Sequence, residues 1–284
     1  MNADDLTEEA KRTLVAVNER FGWQGDEEDQ AWDLLVHVWG REPDLDDEVP
    51  PDVERKFQKL VKRRVTGEPM AFILGWVEFL DFRLNLKPGA FVPRLTTEFL
   101  AEQAIKRLRR RKSPVHVDLA TGIGPVPLGV ARAVPKATVY GLDISRKAVH
   151  QARTNADRLG VHNVTFLRSD MFSALPKRLR GEVDVVTIHP PYVPRGEVSD
   201  LPIEIKGFEP QHTLTDRSSD GLGLVRRVVD EGRDWLRPSG WLLIEIVAAE
   251  WKRIAPMLRK AGYTDVRSTY GELKLTRVIT GRMP

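Results

Sequence analysis

Four consecutive residues, His189-Pro190-Pro191-Tyr192, have the side chains and backbone best suited to chemistry on a planar ligand. They follow Val183-Asp184-Val185-Val186-Thr187-Ile188, an apolar run that reads as a buried strand. Proline lacks an N–H and has a fixed φ, so the strand ladder stops at Pro190 and the backbone there is stiff. The Pro190 carbonyl is then left to face a ligand. Tyr192 offers a flat ring on which a planar group can stack. Ligands of open α/β sheets bind beyond the carboxyl ends of the strands, so the tetrad stands where a substrate belongs.

Three other strand ends carry acids. Asp118-Leu119-Ala120-Thr121-Gly122-Ile123-Gly124-Pro125 joins a strand to a helix, and its small residues let a ligand approach the backbone. The dinucleotide pattern G-x-G-x-x-G is absent, because Pro125, Val126 and Pro127 follow Gly124. An acid ahead of the glycines disfavours a pyrophosphate and favours a ligand with an ammonium or amide. Asp143 ends the next strand, about twenty residues on, where a carboxylate takes both ribose hydroxyls. Ser169-Asp170-Met171 follows the third strand; Asp170 can accept from an adenine amino group and Met171 can pack on its ring. This order suits S-adenosylmethionine better than a nicotinamide dinucleotide. Each residue also has a plainer reading: Asp118 as a turn former, Asp143 or Ser145 as a helix cap, Ser169-Asp170 as another cap. What supports the cofactor reading is their succession at three strand ends, with Pro-Pro-Tyr at the fourth.

The elements that must position these residues follow from periodicity. Residues 1–75 read as helical and polar, with Leu6, Ala10 and Leu14, then Ala31, Leu34 and Leu35, recurring at helical spacing. Thr7 lacks an acid three residues on, so no capping box is expected there. A third helix, 53–65, ends before Gly67. These helices serve as a substrate-recognition module, or as a folding cap or dimer contact. Residues 76–94 alternate and are aromatic, which predicts a β-hairpin. A helix over 99–110 ends in a basic run from Lys106 to Lys112. That run is either an RNA contact or a solvated helix end favoured by the dipole, and a charge run alone favours the second. Strands at 115–119, 138–143, 163–168, 183–188 and 241–247 alternate with helices at 126–134, 146–159, 222–235 and 251–261. Two β-rich pieces, 264–268 and 273–280, close the chain. The pattern predicts an α/β fold with a doubly wound, mostly parallel sheet. The expected domains are 1–75 (helical), 76–94 (linking hairpin) and 95–284 (α/β).

Composition narrows the class. The chain has 284 residues, a net charge of +3 and no cysteine, which removes thiolate chemistry and disulfides. A zinc site would need His and carboxylates alone, and none is expected. No apolar run is long enough to span a bilayer and the N-terminus lacks an apolar signal core, so a cytoplasmic location with no membrane partner is expected.

Taken together, the motifs resemble the HemK/PrmC family, S-adenosylmethionine-dependent methyltransferases that modify a glutamine side-chain nitrogen in peptide-chain release factors. Gly67-Glu68-Pro69-Met70-Ala71-Phe72-Ile73-Leu74-Gly75 resembles the family's G-E-P-x-x-Y-x-x-G segment. Phe91-Val92-Pro93-Arg94-Leu95-Thr96-Thr97-Glu98 resembles its P-R-P-x-T-E loop. Residues 118–124 are similar to its D-x-G-x-G-x-G turn, and the tetrad stands where it has N-P-P-Y. Phe208-Glu209-Pro210 and Asp220-Gly221-Leu222 resemble its E-P and D-G-L stretches. The resemblance implies a seven-stranded class I methyltransferase (Rossmann-like) domain behind a small helical domain. It implies a cofactor set of Asp118, Thr121, Gly122, Gly124, Asp143, Ile144, Asp170 and Met171, with His189 beside them. It implies catalysis by His189, Pro190 and Tyr192, and substrate contacts from Pro190, Pro191, Tyr192 and Arg94.

The sequence departs from the family at Ala120, Leu95, Thr96 and, most consequentially, His189. In the family the asparagine oxygen and the first proline's carbonyl accept the two N–H bonds of the target amide. A neutral His189 offers one acceptor nitrogen; a charged one is donor-only. His189 is thus either a spacer with the glutamine acceptor retained or a base towards a hydroxyl or amine. The acceptor alternatives are a release-factor-like protein, a small molecule methylated on N or O, and a nucleobase amino group in nucleic acid. A SAM-binding protein with a decayed site is the non-enzymatic alternative.

Overall fold

Caps and apolar stripes account for the first helices. The computed structural model describes residues 1–21, 27–271 and 276–284, and the side chains of these except 18–21, 27–28 and 276. Helix α1 (Ala3–Phe21) starts upstream of Thr7, because the Asn2 side-chain oxygen accepts the Asp5 N–H at 2.7 Å. Helix α2 (Glu27–Trp39) follows. Helix α3 (Pro51–Val65) opens on proline and ends on Lys62-Arg63-Arg64, both favourable at those ends. A short helix, α4 (Met70–Leu74), lies inside the G-E-P segment and stops at Gly75, where φ is 79°. Leu6, Leu14, Leu34, Leu35, Phe57 and Ile73 make the core of this unit. The unit comprises Met1–Trp76 and, from much later in the chain, Ser199–Glu209. Buried Arg64 holds that later piece through an ion pair to Glu204 and also donates to Gln30 at 2.8 Å.

The second unit comprises Val77–Val198 and Pro210–Pro284. Strands β1 (Trp76–Phe79) and β2 (Phe82–Asn85) form the expected hairpin. At its turn Leu80 has φ 53°, and its N–H donates to the Glu98 carboxylate at 2.7 Å. Glu98 belongs to α5 (Thr96–Leu108), which Thr96-Thr97-Glu98 opens. There follow β3 (Val115–Leu119), α6 (Pro125–Ala133), β4 (Thr138–Asp143), α7 (Arg146–Leu159), β5 (Val164–Arg168) and β6 (Val183–Ile188). After α8 (Ile203–Lys206), which belongs to the first unit, come α9 (Gly223–Trp235), β7 (Leu236–Val247), α10 (Trp251–Lys260), β8 (Thr264–Tyr270) and β9 (Thr276–Arg282). The start of the last expected strand, 273–275, lies outside the described residues.

Among the described residues, a seven-stranded sheet runs in the order β5-β4-β3-β6-β7-β9-β8, parallel from β5 to β7 and antiparallel around β9. The chain moves outward from β3 to β5 and then returns to β6, so the topological switch lies between β3 and β6. β7 begins at Leu236 rather than Trp241. Its register jumps from Val183↔Leu236 to Val185↔Trp241, and Pro238-Ser239-Gly240 bulges out of the ladder. No helix among the described residues is long and apolar enough to cross a membrane.

The two sheet faces differ in chemistry. Val117, Leu119, Val186, Ile188, Leu242 and Ile244 point to one face and join Val225, Val228 and Ile254 of α9 and α10 in an apolar core. Alternation puts His116, Asp118, Thr187 and Glu245 on the other face, all four buried. Burying polar groups is costly unless they find partners. This seam therefore marks the part of the sheet built for something other than packing. The basic run is partly absorbed by the fold. Arg107 lies over the Trp241 ring at 4.6 Å, and Arg111 reaches buried Asp184 at 3.7 Å. The nucleic-acid reading gains no support from these two residues.

Candidate active site

The polar seam ends at the carboxyl ends of β3, β4, β6 and β7, where the expected residues meet. Asp118 is 3 % exposed and accepts from the Thr187 hydroxyl at 2.6 Å. Thr187 in turn lies 2.8 Å from His116 Nε2. With its hydroxyl proton given to Asp118, Thr187 accepts from Nε2–H, while Nδ1 is buried without a hydrogen-bond partner among the described residues, which favours the neutral ring. Burial pushes the His116 pKa down to about 3, in agreement. Burial raises the Asp118 carboxyl to about 7, against the lowering effect of Thr121 and Thr187, and Asp143 and Glu245 raise it further. Neither His116 nor Thr187 was singled out from the sequence.

The glycine turn bends as a ligand cradle should. Ala120, Gly122 and Gly124 all have positive φ, at 52°, 57° and 89°. At Ala120 this costs roughly 1–2 kcal/mol, a strain that a glycine would relieve. A Cβ at Gly122 would meet nothing within 4 Å, whereas one at Gly124 would strike the Phe166 ring at 2.7 Å. Gly122 thus borders open space and Gly124 is needed for packing. Asp143 ties the turn to the next strand end. Its two carboxylate oxygens accept the Gly122 N–H and the Ser145 N–H, each at 2.8 Å. Ser145 caps α7 through the Ala148 N–H, so Asp143 is not that cap. Burial raises the Asp143 pKa and those two N–H groups oppose the rise. Ile144 follows it, 57 % exposed, as an apolar surface beside the acid.

At β5 the picture is more structural. Ser169 donates to the Met171 carbonyl at 2.7 Å and accepts from the Ala174 N–H, which fixes the turn. Met171 has φ 47° and its side chain joins the core beneath the sheet ends. The Asp170 carboxylate is largely exposed and paired with Arg227 of α9 at 2.8 Å.

The tetrad is held from three sides. Tyr192 bridges to Thr215, and the Val193 N–H donates to Leu214 at 2.9 Å. Gly221, at φ 69°, packs so closely on the Tyr192 carbonyl that any side chain there would collide with it. His189 stacks near-parallel with Tyr192 at 5.8 Å and edge-on with Phe91 at 5.5 Å. Arg94 lies over the Phe91 ring at 4.5 Å. His189 Nδ1 lies 3.2 Å from the Thr97 hydroxyl and 3.5 Å from Glu245, whose side chain is fully buried. Burial lowers the His189 pKa, Glu245 works against this and Arg94 adds to it. Glu245 is the third residue, after His116 and Thr187, that sequence reasoning missed. Its one visible signal is a lone acid inside the apolar run Trp241–Val247.

A raised Asp118 pKa has a measurable consequence. Between the ordinary carboxylate range and about 7 the folded protein holds the proton and the unfolded chain does not. Stability from this group therefore falls as pH rises through that window. A cationic ligand favours the charged form, so its affinity should rise up to tenfold per pH unit and level off above about 7. Calorimetric titration of an ammonium-bearing cofactor across this range checks it, and Asp118→Asn should flatten the slope and weaken binding.

The chain resembles known proteins along most of its length. Residues 111–259 match the family model described as "Methyltransferase domain", and residues 7–75 match the one described as "PrmC N-terminal domain". A protein of Bordetella pertussis named release factor glutamine methyltransferase is 34% identical over 252 residues, 89% of this chain and 88% of its own. Among solved structures, a methyltransferase from Pyrococcus furiosus shares the fold with TM-score 0.52 and 16% identity, covering 70% of this chain and 87% of that one. A Thermus thermophilus 16S rRNA N2 G1207 methyltransferase, in complex with AdoMet and guanosine, has TM-score 0.54 and 18% identity, covering 74% of this chain and 50% of that one.

Proposed function

The chain belongs to the HemK/PrmC family of S-adenosylmethionine-dependent methyltransferases, and on that premise we propose that it methylates the side-chain amide nitrogen of a glutamine in a release-factor protein. S-adenosylmethionine supplies the methyl group on an electrophilic sulfonium carbon. Asp118 would take its ammonium and Asp143 its ribose hydroxyls. The open edge at Gly122, the backbone between Thr121 and Gly124, and exposed Ile144 are consistent with such a ligand. Asp170 and Met171 stand at the strand end where the base would lie, Asp170 sharing its charge with Arg227.

One observation carries the acceptor reading: Nδ1 of His189 is turned towards Glu245 and Thr97. A ring with its proton on Nδ1 keeps the Nε2 lone pair as an acceptor. An amide nitrogen is a poor nucleophile because its lone pair is delocalised. Two acceptors, His189 Nε2 and the Pro190 carbonyl, would take its two N–H bonds and turn the lone pair towards the methyl group. The histidine thus does what the family's asparagine oxygen does, provided that it is neutral, and burial favours the neutral form. Tyr192 stacks on the planar amide, Pro191 stiffens the backbone, and Arg94 lines the approach beside Phe91. The name of the Bordetella relative points to the same acceptor.

The test is a cell lysate incubated with the protein and labelled S-adenosylmethionine, then separated into protein, nucleic-acid and small-molecule fractions. Label is expected in a release-factor band. Label confined to nucleic acid or to a small molecule would replace this reading with one of its rivals.

A further inference from the structure

The residue beside His189 follows from sheet register. The β6–β7 ladder pairs Thr187 with Leu243 and Ile188 with Ile244. One step further, Glu245 stands next to His189, where Pro190 has already ended the hydrogen-bonded ladder. Glu245 lies on the same face as Asp118 and Thr187, beneath α5, with no exposed surface. From α5, Thr97 comes to the same ring nitrogen. None of the described residues bonds His189 Nε2, and the ring keeps 13% of its side-chain surface exposed. The ring thus has the Thr97 hydroxyl at 3.2 Å and the Glu245 carboxylate at 3.5 Å from Nδ1, with Nε2 presented to the site.

We infer that Glu245 is a positioning residue that, with Thr97, fixes His189 in the Nδ1–H form so that Nε2 takes the acceptor's proton as the methyl group arrives. As the N–CH3 bond forms, the S–CH3 bond breaks and its electron pair stays on sulfur, giving the neutral thioether. The acceptor nitrogen gives up one proton to His189 Nε2. The imidazolium so formed faces the Glu245 carboxylate and later passes its proton to water. A spacer in place of the family's asparagine would need none of this apparatus. The charged and titratable groups facing the ring are Glu245 from β7, Arg94 from the loop before α5, and Tyr192 from its own segment. The inference rests on the amide-methylation reading only for the identity of the acceptor.

Imidazole 15N spectra of the full chain with S-adenosylhomocysteine bound test it without any acceptor. His189 is assigned by the loss of its signal in a His189→Phe variant. Wild-type protein should show a protonated Nδ1 and a bare Nε2. Glu245→Gln should mix the two tautomers, lower kcat about a hundredfold with KM little changed, and move the acid limb of the kcat profile to lower pH. A bare Nδ1 in the wild type, or a Glu245→Gln protein with parental kcat, overturns the inference. If Glu245→Gln does not fold, Thr97→Val carries the same test, since loss of that contact should also mix the tautomers; unmixed tautomers there would overturn Thr97's part. A correct tautomer in a protein that leaves release factor unmethylated would sink the acceptor assignment alone.

Discussion

Asp143→Ala should raise the dissociation constant for S-adenosylmethionine and S-adenosylhomocysteine by about 10²–10³-fold, as read by calorimetry. The carboxylate has two tasks. It already accepts the N–H of Gly122 and of Ser145, which holds the glycine turn against the start of α7. On the proposed function, its remaining lone pairs take the ribose hydroxyls. A hydrogen bond to a charged group contributes roughly 1.5–3 kcal/mol, and about 1.4 kcal/mol is tenfold in affinity, so losing two such contacts reaches the stated range. Asp143→Asn keeps one acceptor oxygen and should lose less. If Asp143→Ala binds as the parent does, Asp143 has no place in the site. The thermal midpoint should fall only modestly, because Ser145 still caps α7 through Ala148.

His189→Phe should lower kcat about 10²–10⁴-fold while leaving cofactor affinity close to the parent value. Phenylalanine keeps a flat ring between Tyr192 and Phe91, so the packing seen at 5.8 Å and 5.5 Å has a substitute. What it removes is the nitrogen pair. Nothing then accepts from the acceptor amide on that side, and Glu245 and Thr97 lose the atom they face. Single-turnover methylation with saturating cofactor separates this loss from a binding defect. A His189→Phe enzyme within a few-fold of the parent would make the histidine a spacer.

The parts of this site that were legible in the sequence are those whose meaning is local. Asp118, the turn to Gly124, Asp143 and the Pro-Pro-Tyr run each sit at the end of an apolar strand. Strand-end position is encoded within a dozen neighbouring residues. The strands themselves were legible because burial on both faces makes them continuously apolar. Glu245 was not, since its meaning depends on which strand pairs with β6 and in what register. His116 and Thr187 read as ordinary strand residues until the sheet places them on the face of Asp118. Ser199–Glu209 groups with the N-terminal helices, where Glu204 pairs with Arg64, a contact that no periodicity announces. The absence of a capping box at Thr7 has its counterpart in Asn2, one residue before α1, whose side-chain oxygen caps the helix through the Asp5 N–H. β7 was shortened in the reading because Pro238-Ser239-Gly240 has the chemistry of a turn, and the structure uses it as a bulge within the strand.

On the proposed function, this chain methylates a protein glutamine with histidine at the first position of its tetrad. The most direct test is purified enzyme, S-adenosylmethionine and purified release factor, followed by peptide mass spectrometry. The account predicts a mass gain of one methylene group, located by fragmentation on a glutamine side chain and absent with the His189→Phe enzyme. An unmodified release factor, with an enzyme that binds the cofactor normally, would contradict it.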